Sequence, residues 1–251
     1  SHKSYIKYIM KNIYSNILKF NSINFNKIIK ILKKGGIIGL PTETVYGLAG
    51  NAYSNNSIKK IFIAKKRLKK NPLIIHYYNL NAAKKDVVLN KNFYKIYKKF
   101  SPGPITFIVK KKTNSRIKSL ACANLKTVGI RFPKNKIIRK VLKKLDFPLA
   151  MPSANKSSSV SPVKPLDVSE EFNNKIKVID GGVTKIGIES TVLNLVGKIC
   201  ILRPGIITSE QIGKVLKIKI KFSLKDKTIK SPGLLKKHYS PGIPMYLNRK
   251  K

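Results

Sequence analysis

Carboxylate is scarce in this chain: 251 residues carry 10 Asp and Glu against 53 Lys and Arg, a formal charge of +43, and no acid precedes Glu43. Tryptophan is missing, histidine occurs 3 times, and the 2 cysteines are Cys122 and Cys200. Two thiols exclude a cysteine zinc site and a disulfide scaffold, so the expected setting is a reducing cytoplasm with both thiols buried. No apolar run approaches the ~20 residues of a membrane-spanning helix, and a soluble protein with no membrane partner is expected. The length suits one α/β domain, or one domain with an appendage, with enough chain for a proper core.

A surplus of positive charge is the usual mark of a nucleic-acid or anionic-membrane binder. Here the lysines run through nearly every segment and accompany many isoleucines and asparagines, all encoded by A/T-rich codons, so genome composition accounts for much of the charge. Arginine is more informative because that bias disfavours it. It stands only at positions 67, 116, 131, 139, 203 and 249, and a retained planar fork suggests bidentate recognition of phosphate or carboxylate.

The chain is organised around residues 35–50, GGIIGLPTETVYGLAG, which hold 5 glycines and one charge, Glu43. Ile37, Ile38 and Leu40 predict a short buried strand that turns at Pro41 into the hydroxyl run of Thr42 and Thr44, with Tyr46 behind. Glycines there allow close backbone approach to a ligand or another strand. Around this stretch the pattern predicts helices over 23–34, 58–67, 92–100 and 137–145. It predicts strands over 72–77, 104–109, 127–132, 147–151, 176–179, 191–196, 200–202 and 218–222. Thr208 caps a further helix, with Gln211 at the capping-box position. Residues 1–22 read as a leader, 23–222 as the catalytic domain and 223–251 as a linker or lid. Strands interspersed with helices predict an α/β sheet.

Several stretches together resemble one family. PTETVYGL, a Lys-x-Arg at Lys65 and Arg67, NPLIIH, SPGPITFIV, VGIRFP, MPSAN, DGG, ESTVLNL, ILRPG and SPGLLKKHYSPGIP follow in order over about residues 28–244. This is similar to the YrdC-like family of threonylcarbamoyl-AMP synthases, in its longer, linker-bearing branch, whose following domain is expected to be absent here. The resemblance implies a twisted mixed sheet with helices packed around it and a concave basic active-site face. It also implies condensation of L-threonine, bicarbonate and ATP to threonylcarbamoyl-adenylate and pyrophosphate, for tRNA modification. Mg2+ would be held mainly through ATP phosphates, and a downstream tRNA threonylcarbamoyltransferase would receive the product.

Residue by residue, the resemblance places Lys65, Arg67, Ser153 and Asn155 in the catalytic ATP half of the site, and Thr44, His76, Arg131 and Ser190 on threonine. Asn71, Thr127, Met151, Ser161, Arg203 and Tyr239 join Arg67 and Ser153 as ATP contacts. His238 and Tyr239 belong to a covering lid. Two departures stand out: Leu68 replaces the usual proline after the Lys-x-Arg arginine, and Met151 replaces a small residue.

Without the resemblance, His76 reads as a satisfied strand-end histidine, Ser153 and Asn155 as turn residues, and the cations after the second helix as an ordinary favourable C-terminus. Two other functions compete. A double-stranded-RNA-binding module of the same fold gains from the charge, with weak RNA binding as its minimum form, but does not explain why the motif stretches are charge-poor and hydroxyl-rich. The related domain of hydrogenase-maturation carbamoyltransferases comes with cysteine-rich zinc motifs that 2 cysteines cannot supply.

Overall fold

The computed structural model describes residues 14–157 and 159–223. Scarcity of acid shapes its helix starts. In α1 (Ser22–Lys33), α2 (Asn55–Ala64), α3 (Leu80–Lys84), α4 (Lys91–Phe100) and α5 (Lys136–Lys144) the first turn carries no Asp or Glu. The side chains of Asn21, Ser54, Asn79, Asn90 and Asn135 accept the free amides instead. A neutral cap of this kind stabilises a helix by about 1 kcal/mol over alanine. Helix α6 (Pro165–Glu171) opens on proline, with Asp167 accepting from the amides of Val163 and Lys164. Helix α7 (Ser209–Leu216) opens on the Thr208–Gln211 capping box that its sequence predicts.

The strands are β1 (Ile17–Lys19), β2 (Ile37–Leu40), β3 (Gly47–Asn51), β4 (Ile74–His76), β5 (Val87–Val88), β6 (Ile105–Lys111), β7 (Thr127–Arg131), β8 (Leu149–Ala150), β9 (Val178–Asp180), β10 (Thr191–Asn194), β11 (Cys200–Arg203) and β12 (Lys221–Phe222). Among the described residues they form one 12-stranded mixed sheet in the order β1-β9-β2-β3-β8-β4-β7-β6-β10-β11-β12, with β5 paired to the far end of β6. Period-two alternation sends neighbouring residues to opposite faces. Leu48 and Ala150 join a core with Ile58, Ile61 and Phe62 of α2, Phe93 and Ile96 of α4 and Ile212 of α7. Ala49 and Leu149 join a second core with Ile28, Ile29 and Leu32 of α1 and Ile138, Val141 and Leu142 of α5. Full burial of each large apolar side chain contributes about 1.5–3 kcal/mol.

The expected mixed α/β sheet is present. Within it, residues 35–50 form a β2–β3 hairpin whose second strand, β3, escapes a reading by periodicity because Gly47, Ala49 and Gly50 offer no alternation. Strand β1 lies inside the expected leader and pairs in parallel with β9, with Asn16 buried and donating to the Ile176 carbonyl. The strand expected over 218–222 shortens to β12. The expected lid falls outside the described residues.

Topology gathers the functional segments. Parallel β4 and β7 end side by side at His76 and Arg131, which are register partners. Strand β6 runs antiparallel to β7 and begins where β7 ends, Thr106 opposite Arg131, and β10 starts in parallel beside it. Strand β11 returns so that Arg203 lies opposite Val192. The 41–46 loop, the segment after β8 and residues 189–190 therefore converge on one edge of strand ends.

Candidate active site

Thr42, Thr44, Val45, Gly47, Ile74, His76, Arg131, Met151, Pro152, Ser153, Glu189, Ser190 and Arg203 line a narrow cleft at this edge. Its 41–46 wall is held from several sides. The Thr42 hydroxyl accepts the amides of Thr44 and Val45, at 3.1 and 3.2 Å. The amides of Ile186 and Gly187 donate to the carbonyls of Glu43 and Thr44, both at 3.0 Å. Tyr46, fully buried, donates its hydroxyl to the Gly182 carbonyl at 2.8 Å and accepts the Gly181 amide at 3.0 Å. Burial pushes that hydroxyl up to about 12, so it remains a neutral donor.

Gly47 has a steric reason. A Cβ there would lie 2.4 Å from Cγ of Met151. The long side chain at 151, a departure in the sequence, is accommodated over a residue that has none.

Arg131 is buried, and its guanidinium is oriented by three acceptors: Glu43 Oε1 at 2.6 Å, Thr44 Oγ1 at 2.9 Å and the Gly103 carbonyl at 3.4 Å. Glu43 is fixed in turn by the amides of Lys134 and Asn135, at 2.9 and 3.2 Å, on its second oxygen. Burial pushes the Glu43 carboxyl up, but the charge and hydrogen bonds of Arg131, with the Lys134 amide, outweigh it and hold the group below the usual carboxylate range. An N–H on each terminal nitrogen of Arg131 is left over from these bonds, which suits a bidentate carboxylate.

His76 is buried beside it. Its Nδ1 lies 3.3 Å from the Ile74 carbonyl, and Nε2 has no partner among the described residues. Burial, then the charge of Arg131, lowers its pKa to about 3. The ring is neutral, and a proton on Nδ1 facing Ile74 leaves Nε2 as a buried acceptor on a residue of the cleft lining. Buried polar atoms left bare are costly, so this one fits a donor group on a ligand.

On the other side, Arg203 donates through Nε and Nη2 to the Ser190 carbonyl at 3.1 and 2.9 Å, and through Nη2 to the Ser190 hydroxyl at 3.1 Å, while Nη1 pairs with Glu189. Ser161 donates to the other oxygen of Glu189 at 2.8 Å. Arg67 is half-buried and donates to the Asn71 side chain at 2.6 Å and to the carbonyls of Asn71 and Pro72. Burial and then Arg203 lower its pKa to about 9, which still leaves it charged at neutral pH.

Lys65 does not face the cleft as a phosphate ligand would. It is 1% exposed, and its ammonium donates to the carbonyls of Ser153 and Asn155 from beneath their loop. Burial and then Arg67 push its pKa well down. In this structure the helix-end lysine is drawn inward, its side-chain nitrogen held by the carbonyls of Ser153 and Asn155.

Of the expected residues, Thr44, His76, Arg131, Met151, Ser153, Ser190 and Arg203 line one cleft. Arg67 and Asn71 sit together behind it. Thr127, at the start of β7, lies by register about level with Pro72 on that same side and is not part of the lining. Asn155 is buried, its amide nitrogen donating to the carbonyls of Lys156 and Ser159 while Oδ1 has no partner among the described residues. Ser161 reaches the cleft through Glu189. His238 and Tyr239 lie outside the described residues. Glu43 and Glu189 escaped assignment. Their signal was present: in a chain with 10 acids, each sits inside a motif stretch.

A family model described as telomere recombination, covering Sua5, YciO and YrdC, matches residues 30–205. The chain belongs to that family. A second model, described as threonylcarbamoyl-AMP synthase, C-terminal domain, matches residues 207–251, so its signal begins inside the described fold, just before α7. Threonylcarbamoyl-AMP synthase of Pyrococcus abyssi is 38% identical over 219 residues, 84% of this chain and 63% of that protein. That of Bacillus subtilis is 37% identical over 228 residues, 86% of this chain and 64% of that protein. The chain thus spans a little under two thirds of these relatives. A crystal structure of P. abyssi Sua5 complexed with L-threonine is similar with a TM-score of 0.84 at 34% identity, covering 90% of this chain and 69% of that one. E. coli YciO, 20% identical with a TM-score of 0.69, shares the fold. No described helix is long and apolar enough to cross a membrane.

Proposed function

We propose that the chain is a threonylcarbamoyl-AMP synthase: it joins L-threonine and bicarbonate as a carbamate and transfers AMP from ATP to it, releasing pyrophosphate and water. The observation that carries this reading is one cleft with two chemically different walls. An oriented arginine, a neutral histidine acceptor and Thr44 form one, and Ser153 with Arg203 forms the other, backed by Arg67. The first wall suits an amino acid, its carboxylate on Arg131 and an ammonium or hydroxyl proton on His76 Nε2. The second suits a triphosphate.

The chemistry needs alignment of the carbamate oxygen with the α-phosphorus and cationic donors around the phosphates, and it requires no protein nucleophile. Mg2+ bound to the triphosphate would supply further charge neutralisation. The residues fit that mode better than a protein cage. Glu189 in the cleft lining and Glu43 beside it are both engaged with arginine, and no cluster of three metal-ligating side chains occurs among the described residues. Residues 231–244, with His238 and Tyr239, are assigned to closing the site over the carbamate. Truncation after residue 228 should reduce adenylate yield while leaving the fold intact, and full yield from the truncated protein would make the segment only a linker. A cytoplasmic location and delivery of the adenylate to a tRNA threonylcarbamoyltransferase complete the reading.

Pyrophosphate release by the purified chain tests it. Release should require ATP, threonine and bicarbonate together, and release that ignores the omission of threonine would contradict it.

A further inference from the structure

Each arginine of the cleft is answered by one of the chain's few carboxylates, and the two pairs are built differently. Glu43 is held by Arg131 and by two backbone amides that cannot turn elsewhere. Glu189 is held by Arg203 and by one rotatable hydroxyl, Ser161, and it stands in the cleft lining itself. We propose that Glu189 is an exchangeable counter-anion, which occupies Arg203 and Ser161 while the nucleotide position is empty and yields both donors to a polyphosphate oxygen.

This rests on the nucleotide reading above and adds a residue and an order of events to it. Arg203 need not move in the exchange. Its Nε and Nη2 are anchored on Ser190, and the nitrogen turned toward Glu189 is the one to be handed over. Ser161 only has to rotate its hydroxyl. A carboxylate with two oxygens, one on an arginine and one on a serine, presents the same donors that a phosphate oxygen edge would take.

Two consequences follow. An incoming polyphosphate must displace a bound carboxylate, so its intrinsic affinity for Arg203 is partly cancelled. The released carboxylate remains in a cleft also lined by Thr44, His76 and Arg131, where the ammonium of an amino acid is its complementary charge. Amino acid and polyphosphate should then strengthen each other's binding, a coupling that is reciprocal by linkage.

The test is calorimetric titration of the full chain with inorganic triphosphate, with and without threonine, for the wild type and Glu189→Gln. Glutamine keeps the size and can still accept from Ser161, but removes the competing charge. The expected result is triphosphate binding at least ten-fold tighter in Glu189→Gln, with most of the strengthening by threonine lost. Equal or weaker binding overturns the exchange, and a merely structural role for Glu189 predicts the weaker result. If ATP and triphosphate bind neither protein, the nucleotide reading fails and the exchange with it. Should Glu189→Gln not fold, Glu189→Asp keeps the charge on a shorter arm with a poorer grip on Arg203. It should bind triphosphate more tightly than the wild type, and affinity at or below wild type again overturns the proposal.

Discussion

The two walls of the cleft treat positive charge in opposite ways. On the Arg131 wall the cation is matched: one buried carboxylate faces it, two backbone amides hold that carboxylate, and the adjacent histidine is kept neutral. On the Arg203 wall one carboxylate, Glu189, answers three cations, Arg203, Arg67 and Lys65, which crowd one another. Arg67 is destabilised by Arg203 and Lys65 by Arg67, with Glu171 offsetting part of the latter, and Lys65 is satisfied by two carbonyls with no carboxylate in ion-pair contact among the described residues. On the proposed reading the Arg131 wall would receive a small zwitterion with little change. The wall with more cations than carboxylates would receive the polyanion, in exchange for Glu189.

The largest effect should come from breaking the matched side. Arg131→Ala leaves Glu43 buried without its cation, a situation that typically costs about 3–5 kcal/mol, and denaturant unfolding should show it. A loss within about 0.5 kcal/mol would mean that the pair is not part of the fold's stability. Arg131→Lys keeps charge but removes the fork. Threonine affinity should fall about ten-fold or more, as about 1.5–3 kcal/mol is lost with a charged hydrogen bond, and unchanged affinity would place the carboxylate elsewhere.

Acid should separate the walls next. His76 folds with its pKa lowered from 6.5 to about 3, so its neutral form contributes fully above pH 6.5 and that contribution is lost as pH falls toward 3. Between those values the unfolded chain binds the extra proton, and His76 should give a stability slope of about 1.4 kcal/mol per pH unit. Glu43, also depressed, loses its contribution only below the ordinary carboxylate range. His76→Gln should flatten the pH 4–6 slope. An unchanged slope would mean that the imidazole is not buried neutral.

Lys65→Met is expected to sharpen the cation-rich side. It retains bulk and removes the two carbonyl contacts under Ser153 and Asn155, so nucleotide affinity should fall several-fold while threonine binding stays within two-fold. A greater effect on threonine than on nucleotide would sever Lys65 from that wall. The smallest change is Tyr46→Phe, which removes one donor and one acceptor at residues 181–182 for about 1 kcal/mol, measurable by thermal unfolding.

How much of this could be read beforehand depended on which force set each feature. Helices α1, α4 and α5 follow apolar spacing and were legible, as was the Thr208 box, because these are local interactions. Strand β3 was not, since a run of Gly and Ala has no amphipathic signal and forms only because β2 and β8 pair with it. Strand β1 was hidden in a basic leader for a similar reason: its partner β9 is about 160 residues away. In the site, type and motif single out Thr44, His76 and Arg131, and the structure brings the three to one cleft. The inward turn of Lys65 was not legible, because a lysine at a helix end looks solvated until the carbonyls above it are placed. Glu43 and Glu189 were passed over because motif matching favours groups that touch substrate over groups that hold them.

The claim that both walls serve one reaction is tested most directly by product. Supplied with ATP, threonine and labelled bicarbonate, the protein should place the label in a single species that also contains threonine and AMP. Arg131→Lys and Arg203→Ala should each abolish most of that species. Label that enters an AMP adduct without threonine, or no labelled adduct from a protein that binds both ATP and threonine, would contradict it.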